Sequence, residues 1–338
     1  MLGINILDKS DAFRYSGCVM KQPRTLQQAI QFYSDPDNCL AYMIGLKWPD
    51  GVVTCPSCGR TDVVFLKNQR KWQCKSVHAK RQFSAKVDTV FEDSPIGLDK
   101  WLTAVWMISN CRNGVSSYEI ARAIGVTQKS AWFMMHRIRL GLQTEAGGKL
   151  GGGSKQVEVD ETFIGAKARN IHQHKRAEKL GKSNKAMVVG VLERGGEVRA
   201  QVVSNRKAYA FCNIVRENVL SQSDVFTDKL MSYNGLDSKF AHGVVDHAEG
   251  YVRGQIHTNG LENFWSLLKR GLHGTYVSVE PFHLFRYLDE QMFRYNNRRD
   301  GDKQPVPDHV RFNLAMSHIV GKRLTYAELT AKAPETPF

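Results

Sequence analysis

No stretch of this 338-residue chain is long and apolar enough for a membrane-spanning helix, so no membrane partner is expected. The start of the chain, with Asp8 and Asp11, lacks the basic-then-apolar order of a secretion signal, and no export is expected. Cysteines number only seven, an odd count that argues against a disulfide framework and for reduced thiols in a cytoplasmic protein. Acidic residues are in deficit: 33 Asp and Glu face 47 Lys and Arg, a net charge of +14. With a pI near 9.5, the surplus exceeds what solubility requires and points to a polyanionic partner. No internal repeat is present. The rest is ordinary: 42% hydrophobic and 24% charged residues suffice for packed cores, and the length implies two or three domains.

Residues 1–47 read as an N-terminal helical segment, with two helical pieces between 25 and 46 broken at Ser34-Asp35-Pro36-Asp37. A turn at Trp48-Pro49-Asp50-Gly51 opens a cysteine module over 48–94, in which the stretch from Val63 to Val87 has seven Lys or Arg and no acid. Helical periodicity dominates 95–146, and the glycine-rich run at 147–154 reads as a flexible linker and the main domain boundary. Beyond it, over 155–299, strand-like runs at 156–164, 186–193 and 197–204 precede a helix at 208–220 and a strand at 224–227. A helical piece near 229–238, a strand at 243–245 and helices at 259–272 and 280–297 complete the pattern. This order predicts an α/β fold, a ribonuclease-H-like mixed sheet with flanking helices. Residues 168–185 are too polar and basic for a strand and read as an exposed loop able to lie along DNA. Residues 300–338 carry no interpretable pattern and are taken as a C-terminal tail.

The cysteine module contains the knuckle Cys55-Pro56-Ser57-Cys58-Gly59, followed after a fifteen-residue gap by Cys74 and His78. Thiolate and imidazole donors in two short-range pairs match a closed, structural Zn2+ tetrahedron, with the surrounding basic block facing phosphates. Cys74 and His78, spaced Cys-x-x-x-His, are the less usual pair. Farther along, Ser116 caps one short helix, Gly125 ends it and Thr127 caps the next. That punctuation predicts a helix-turn-helix whose second helix presents Gln128, Lys129, His136, Arg137 and Arg139 to a DNA groove, with Trp132, Met135 and Ile138 inward.

Three carboxylates carry the chemistry. Asp160 and Asp228 lie at the ends of apolar, strand-like runs, where a carboxylate is expensive unless it is paired or binds metal. On the helix after 258, Leu261, Phe264, Trp265, Leu268 and Leu272 trace the buried stripe, leaving Glu262, Ser266 and Lys269 on another face. Two strand aspartates and a helical glutamate can hold two Mg2+ or Mn2+ ions against a phosphodiester, while Lys269 and the adjacent Arg270 meet DNA phosphates. Glu158 and Glu161 flank Asp160 and are expected to face elsewhere; Asp246 could support the site, and His257 could position water, phosphate or the helix entry.

These residues resemble the insertion-sequence transposases of the ISXO type, which join a zinc ribbon to a DDE-type, ribonuclease-H-like domain. The likeness runs from Cys55 to about Arg298 and includes Val159-Asp160-Glu161-Thr162-Phe163-Ile164-Gly165 and His257-Thr258-Asn259-Gly260-Leu261-Glu262-Asn263-Phe264-Trp265-Ser266. It implies that Asp160, Asp228 and Glu262 are catalytic metal ligands and Lys269 the basic residue that follows the glutamate. It also implies an enzyme that binds the terminal inverted repeats of a bacterial insertion sequence, cuts at the element ends and joins the freed 3′-hydroxyl to target double-stranded DNA. Such an enzyme is expected to act as a homo-oligomer on DNA at the nucleoid. The rival is a non-catalytic DNA-binding regulator whose acids are vestigial.

Overall fold

The computed structural model describes residues 12–15, 18–143, 147–153, 155–165, 185–203, 208–228, 240–245, 257–277 and 279–330. These fall into two units, one of residues 1–144 and 299–338, the other of 145–298. The expected basic loop at 168–185, the helical piece near 229–238 and Asp246 lie outside the described residues, apart from Lys185. Among the described residues, no helix is long and apolar enough to cross a membrane.

The first unit opens with a hairpin of β1 (Ala12–Tyr15) and β2 (Cys18–Lys21). Helix α1 (Leu26–Tyr33) starts where the Thr25 hydroxyl accepts the Gln28 amide, and α2 (Pro36–Lys47) starts on Asp35 with Pro36 in its first turn. An antiparallel ribbon follows, made of β3 (Val63–Leu66), β4 (Lys71–Cys74) and β5 (Gln82–Phe83). Next come α3 (Leu98–Asn110), α4 (Ser117–Ile124) and α5 (Gln128–Leu142). Ser116 and Glu119 close a capping box on α4, and Gly125, at φ +62°, ends it in the left-handed region that glycine favours.

The second unit is built on a five-stranded mixed sheet. Its strands are β6 (Gln156–Ile164), β7 (Ala186–Glu193), β8 (Val198–Val203), β9 (Asp224–Asp228) and β10 (Ala241–Val245), in the order β10-β9-β6-β7-β8. The β6-β7-β8 half is antiparallel, whereas β6-β9 and β9-β10 are parallel. Helix α6 (Ala208–Asn218) covers one face, packing Phe211 and Val215 on Val157, Val159 and Val189. On the other face, α7 (Asn259–Gly271) and α8 (Leu284–Asn296) pack Leu261, Phe264, Trp265, Leu268 and Leu288 on Val188, Leu192 and Val198. The buried stripe read from the sequence is therefore the one α7 uses. A π turn at Leu272–Tyr276 continues α7.

Two expectations are corrected. The glycine-rich run is docked, not loose: Leu150 is buried and bonded to Asn218 and Leu220, while Gly151 and Gly152 donate to Glu193 and Ser223. A single buried leucine among glycines is enough to anchor it. Nor are residues 299–330 a tail. Helices α9 (Asp308–Ser317) and α10 (Tyr326–Leu329) belong to the first unit, where Phe312 packs against Tyr33, Tyr42 and Trp106 with ring centres 5.8, 5.7 and 5.0 Å away.

Candidate active site and zinc centre

In the first unit, the knuckle folds because Gly59, at φ +71°, lets its amide return to the Cys55 carbonyl at 2.8 Å. Cys74 ends β4, and His78 follows a short loop later. One ligand atom from each of Cys55, Cys58, Cys74 and His78 lies within 4.8 Å of all the others. The Cys58 and Cys74 sulfurs are 3.6 Å apart, and the Cys55 sulfur is 3.5 Å from His78 Nε2. Tetrahedral zinc with Zn–S near 2.3 Å sets such edges at about 3.8 Å, so the donor set fits that ion in both chemistry and size. A hydrogen bond from His78 holds the Cys74 thiol down to about 6, which favours the thiolate that a metal requires. Underneath, Trp72 packs against Trp48, Phe65 and Phe83, the ribbon's small aromatic core.

In the second unit, Asp160 lies mid-strand on β6, the fifth of its nine residues, and not at a strand end as its sequence context implied. Asp228 does end its strand, β9. The last β6-β9 ladder pair is Val159 with Thr227, so Asp160 and Asp228 are the next residues on adjacent parallel strands. Such strands run about 4.8 Å apart. Strand alternation sends Val157 and Val159 to the α6 face, hence Asp160 to the α7 face. There the Trp265 indole N–H donates to Asp160 Oδ2 at 2.9 Å, and the Glu161 amide donates to Asp160 Oδ1 at 2.8 Å. Glu262, exposed in the first turn of α7, lies three residues before Trp265 and thus beside it on the helix surface. Two glycines let the helix sit this low. A Cβ on Gly190, the β7 partner of Asp160, would lie 2.7 Å from the Trp265 ring, and one on Gly260 would lie 2.4 Å from Leu192.

Glu158, expected to face away from Asp160, shares its face, because residues two apart on a strand point the same way. It is 1% exposed. Its Oε1 accepts Arg194 Nε at 2.7 Å and its Oε2 accepts the Leu261 amide at 3.0 Å. Arg194 also donates to Gln156 Oε1 at 2.6 Å and to the His257 carbonyl at 2.7 Å. Its Nη2 is 3.0 Å from His257 Nδ1, and since arginine only donates, that ring nitrogen accepts. His257 therefore serves the helix entry. Sequence reading missed the roles of Trp265 and Arg194: the indole reads as core, and the arginine falls between the strand-like runs at 186–193 and 197–204.

The basic residues divide sharply. Lys269 and Arg270 are exposed in the last turn of α7, and Lys129 is exposed near the start of α5, its amine 5.2 Å from the Tyr326 ring centre. Arg137 and Arg139 are buried, at 4% and 1% exposure, so as folded they do not reach a phosphate. His136 is buried too. Arg137 donates to the Glu92 carbonyl and lies over Trp101 and Phe133. The second half of α5 is enclosed all round, and a two-faced reading of its periodicity fails there.

Comparison with known proteins adds the following. Residues 149–296 match the ISXO2-like transposase domain, and residues 34–79 match a transposase zinc-ribbon domain. An uncharacterized protein in transposable element ISH50 of Halobacterium salinarum is 28% identical over 243 residues, covering 67% of this chain and 80% of that relative. An uncharacterized transposase-like protein of Haemophilus influenzae is 34% identical over 102 residues, covering 30% of this chain and 82% of that relative.

Proposed function

The chain belongs to the ISXO2-like transposase family, and from its two sites we propose that it is an active DNA transposase of a bacterial insertion sequence. In this reading it binds the element's terminal inverted repeats, hydrolyses a phosphodiester at each end and joins the freed 3′-hydroxyl to target DNA in the cytoplasm. Asp160, Asp228 and Glu262 are the catalytic acids. The observation that carries this is the Trp265-Asp160 bond, which docks α7, the helix with Glu262 in its first turn, on β6 beside the strand that ends in Asp228. The sheet order and the flanking helices support a ribonuclease-H-like fold for this unit.

Three carboxylates offer only hard oxygen donors, the set that suits Mg2+ or Mn2+ and not zinc. When bound there, a pair of such ions supplies Lewis-acid activation of the attacking oxygen and stabilises charge on the leaving one. The chain's own residues do the rest. Trp265 and the Glu161 amide fix the plane of the Asp160 carboxylate, and Lys269, two turns beyond Glu262, meets the phosphate backbone together with Arg270. In the first unit, Cys55, Cys58, Cys74 and His78 would hold a structural Zn2+ that stabilises the ribbon. Helices α4 and α5 act as a helix-turn-helix that meets DNA through Lys129, and synapsis of two ends calls for a homo-oligomer.

The test is Mg2+-dependent nicking of a plasmid carrying the DNA that flanks the coding region. The parent is expected to nick at the element ends, and Asp160→Asn and Glu262→Gln to lose the activity. Cleavage by either variant at the parental rate would refute the assignment.

A further inference from the structure

We infer that Glu158 and Arg194 are positioning residues, a clamp that seats α7 on the sheet and thereby sets Glu262 against Asp160 and Asp228. The inference rests on the reading of those three acids as the metal site.

The start of α7 lacks its own cap. Thr258 occupies the N-cap position without a side-chain bond, and the Leu261 amide, one of the orphan donors of the first turn, is satisfied by Glu158 from the strand below. A carboxylate at this end of a helix also meets the favourable end of its dipole. The spacing is matched. Glu158 and Asp160 are two residues apart on β6, roughly 6.6 Å. Leu261 and Trp265 are four apart on α7, about 6 Å along its axis. The bonds Leu261-Glu158 and Trp265-Asp160 therefore grip the helix at two points one turn apart. A single bond would leave the helix free to swivel. Two fix both its sliding and its rotation, and Glu262 lies between them in the chain.

Arg194 extends the grip to the third acid. Its guanidinium bonds Glu158 and Gln156 on β6 and the His257 carbonyl at the entry to α7, and lies 4.7 Å from the Phe226 ring centre on β9. Phe226 pairs with Glu158 in the ladder and precedes Asp228 by two residues. One side chain thus touches the two strands that carry the aspartates and the segment that enters α7. The pairing also settles the part Glu158 plays. Its two oxygens accept from Arg194 and Leu261 and it is 1% exposed, so it acts through the helix.

The test uses the full chain with Tb3+ as the probe, its emission sensitised by the nearby Trp265 indole, alongside Mg2+-dependent nicking of the flanking-DNA plasmid. Arg194→Lys keeps the charge but loses the fork; Glu158→Leu/Arg194→Met removes both charges together. Thermal melts establish that each variant is folded. Folded clamp variants are expected to bind Tb3+ more weakly and to need more Mg2+ for half-maximal nicking, roughly 10–100-fold, with DNA affinity unchanged. Parental Tb3+ affinity and parental Mg2+ demand in folded clamp variants would overturn the clamp, provided that Asp160→Asn abolishes the Tb3+ signal. If Asp160→Asn leaves that signal intact, the metal-site reading itself falls, and the clamp with it.

Discussion

The indole N–H of Trp265 reaches Asp160 Oδ2 at 2.9 Å, so a residue of the buried helical stripe is also the donor that orients a strand carboxylate. Packing and chemistry are joined in one side chain. Trp265→Phe keeps an aromatic ring in the core while it removes the donor and part of the ring volume. We expect a loss of at least about 1.5–3 kcal/mol, the range for a hydrogen bond to a charged group, measured by urea unfolding of the variant against the parent. The Mg2+ demand for nicking should rise in parallel. A variant of parental stability would show that the bond contributes nothing.

Gly190 is the counterpart on the sheet. It pairs with Asp160 across the ladder, and a methyl there would sit 2.7 Å from Trp265 Cζ2 and 2.9 Å from Leu261 Cδ2. The Trp265 ring is held by its bond to Asp160 and cannot swing aside without losing it. Gly190→Ala should therefore destabilise the protein by about 1–3 kcal/mol, the cost of overpacking a filled core. Gly147→Ala, with nothing within 4 Å of the added carbon, is the control and should be near neutral. Equal melting temperatures for the two variants would contradict this account.

What was legible in the sequence follows from what periodicity can encode. The runs at 156–164 and 186–193 became β6 and β7 with the same bounds, because apolar stretches between turn residues leave little choice. The stripe Leu261 to Leu272 gave the buried face of α7 and left Glu262 outside it. The knuckle at Cys55 and Cys58 and the pair Cys74 and His78 converge as their spacing implied. Tertiary relations were not legible. Arg137 and Arg139 read as a polar face, since nothing local signals that α5 is enclosed on every side. Arg194, between two strand-like runs, carries no local signal of the bond it makes to His257, more than sixty residues later. A helix such as α9, with weak amphipathicity and one large buried aromatic, Phe312, gives too little pattern to be seen.

The ribbon is expected to depend on its metal. Strands of four, four and two residues bury too little to stand alone. The purified protein should carry one zinc per chain by elemental analysis, and chelation should red-shift the fluorescence of Trp48 and Trp72, which pack together at 5.4 Å. Acid should act the same way. The folded Cys74 thiol is held down to about 6, below its ordinary value, so its thiolate is favoured above that pH and is lost as pH falls through it. Zinc is expected to be released on acidification, because protons compete with the metal for the thiolates, and His78→Ala should shift release to higher pH. A chain that folds fully without zinc would end this assignment.

Burial also sorts the basic residues into two experimental classes. Lys269 is exposed on α7, seven residues and so two turns beyond Glu262, whereas Arg139 is 1% exposed inside the first unit. Each phosphate contact neutralised by a lysine releases condensed counterions, so losing one lowers the salt dependence of binding by about one unit of slope. Lys269→Ala should therefore weaken duplex binding and flatten the plot of log affinity against log salt, with the melting temperature unchanged. Arg139→Met should do the reverse, changing the melting temperature and leaving the slope alone. Fluorescence anisotropy on one labelled duplex, repeated over a salt series, reads the slope for both variants. A flattened slope in folded Arg139→Met would mean that α5 turns its second half outward to meet DNA, and that the buried arrangement is not the one that binds.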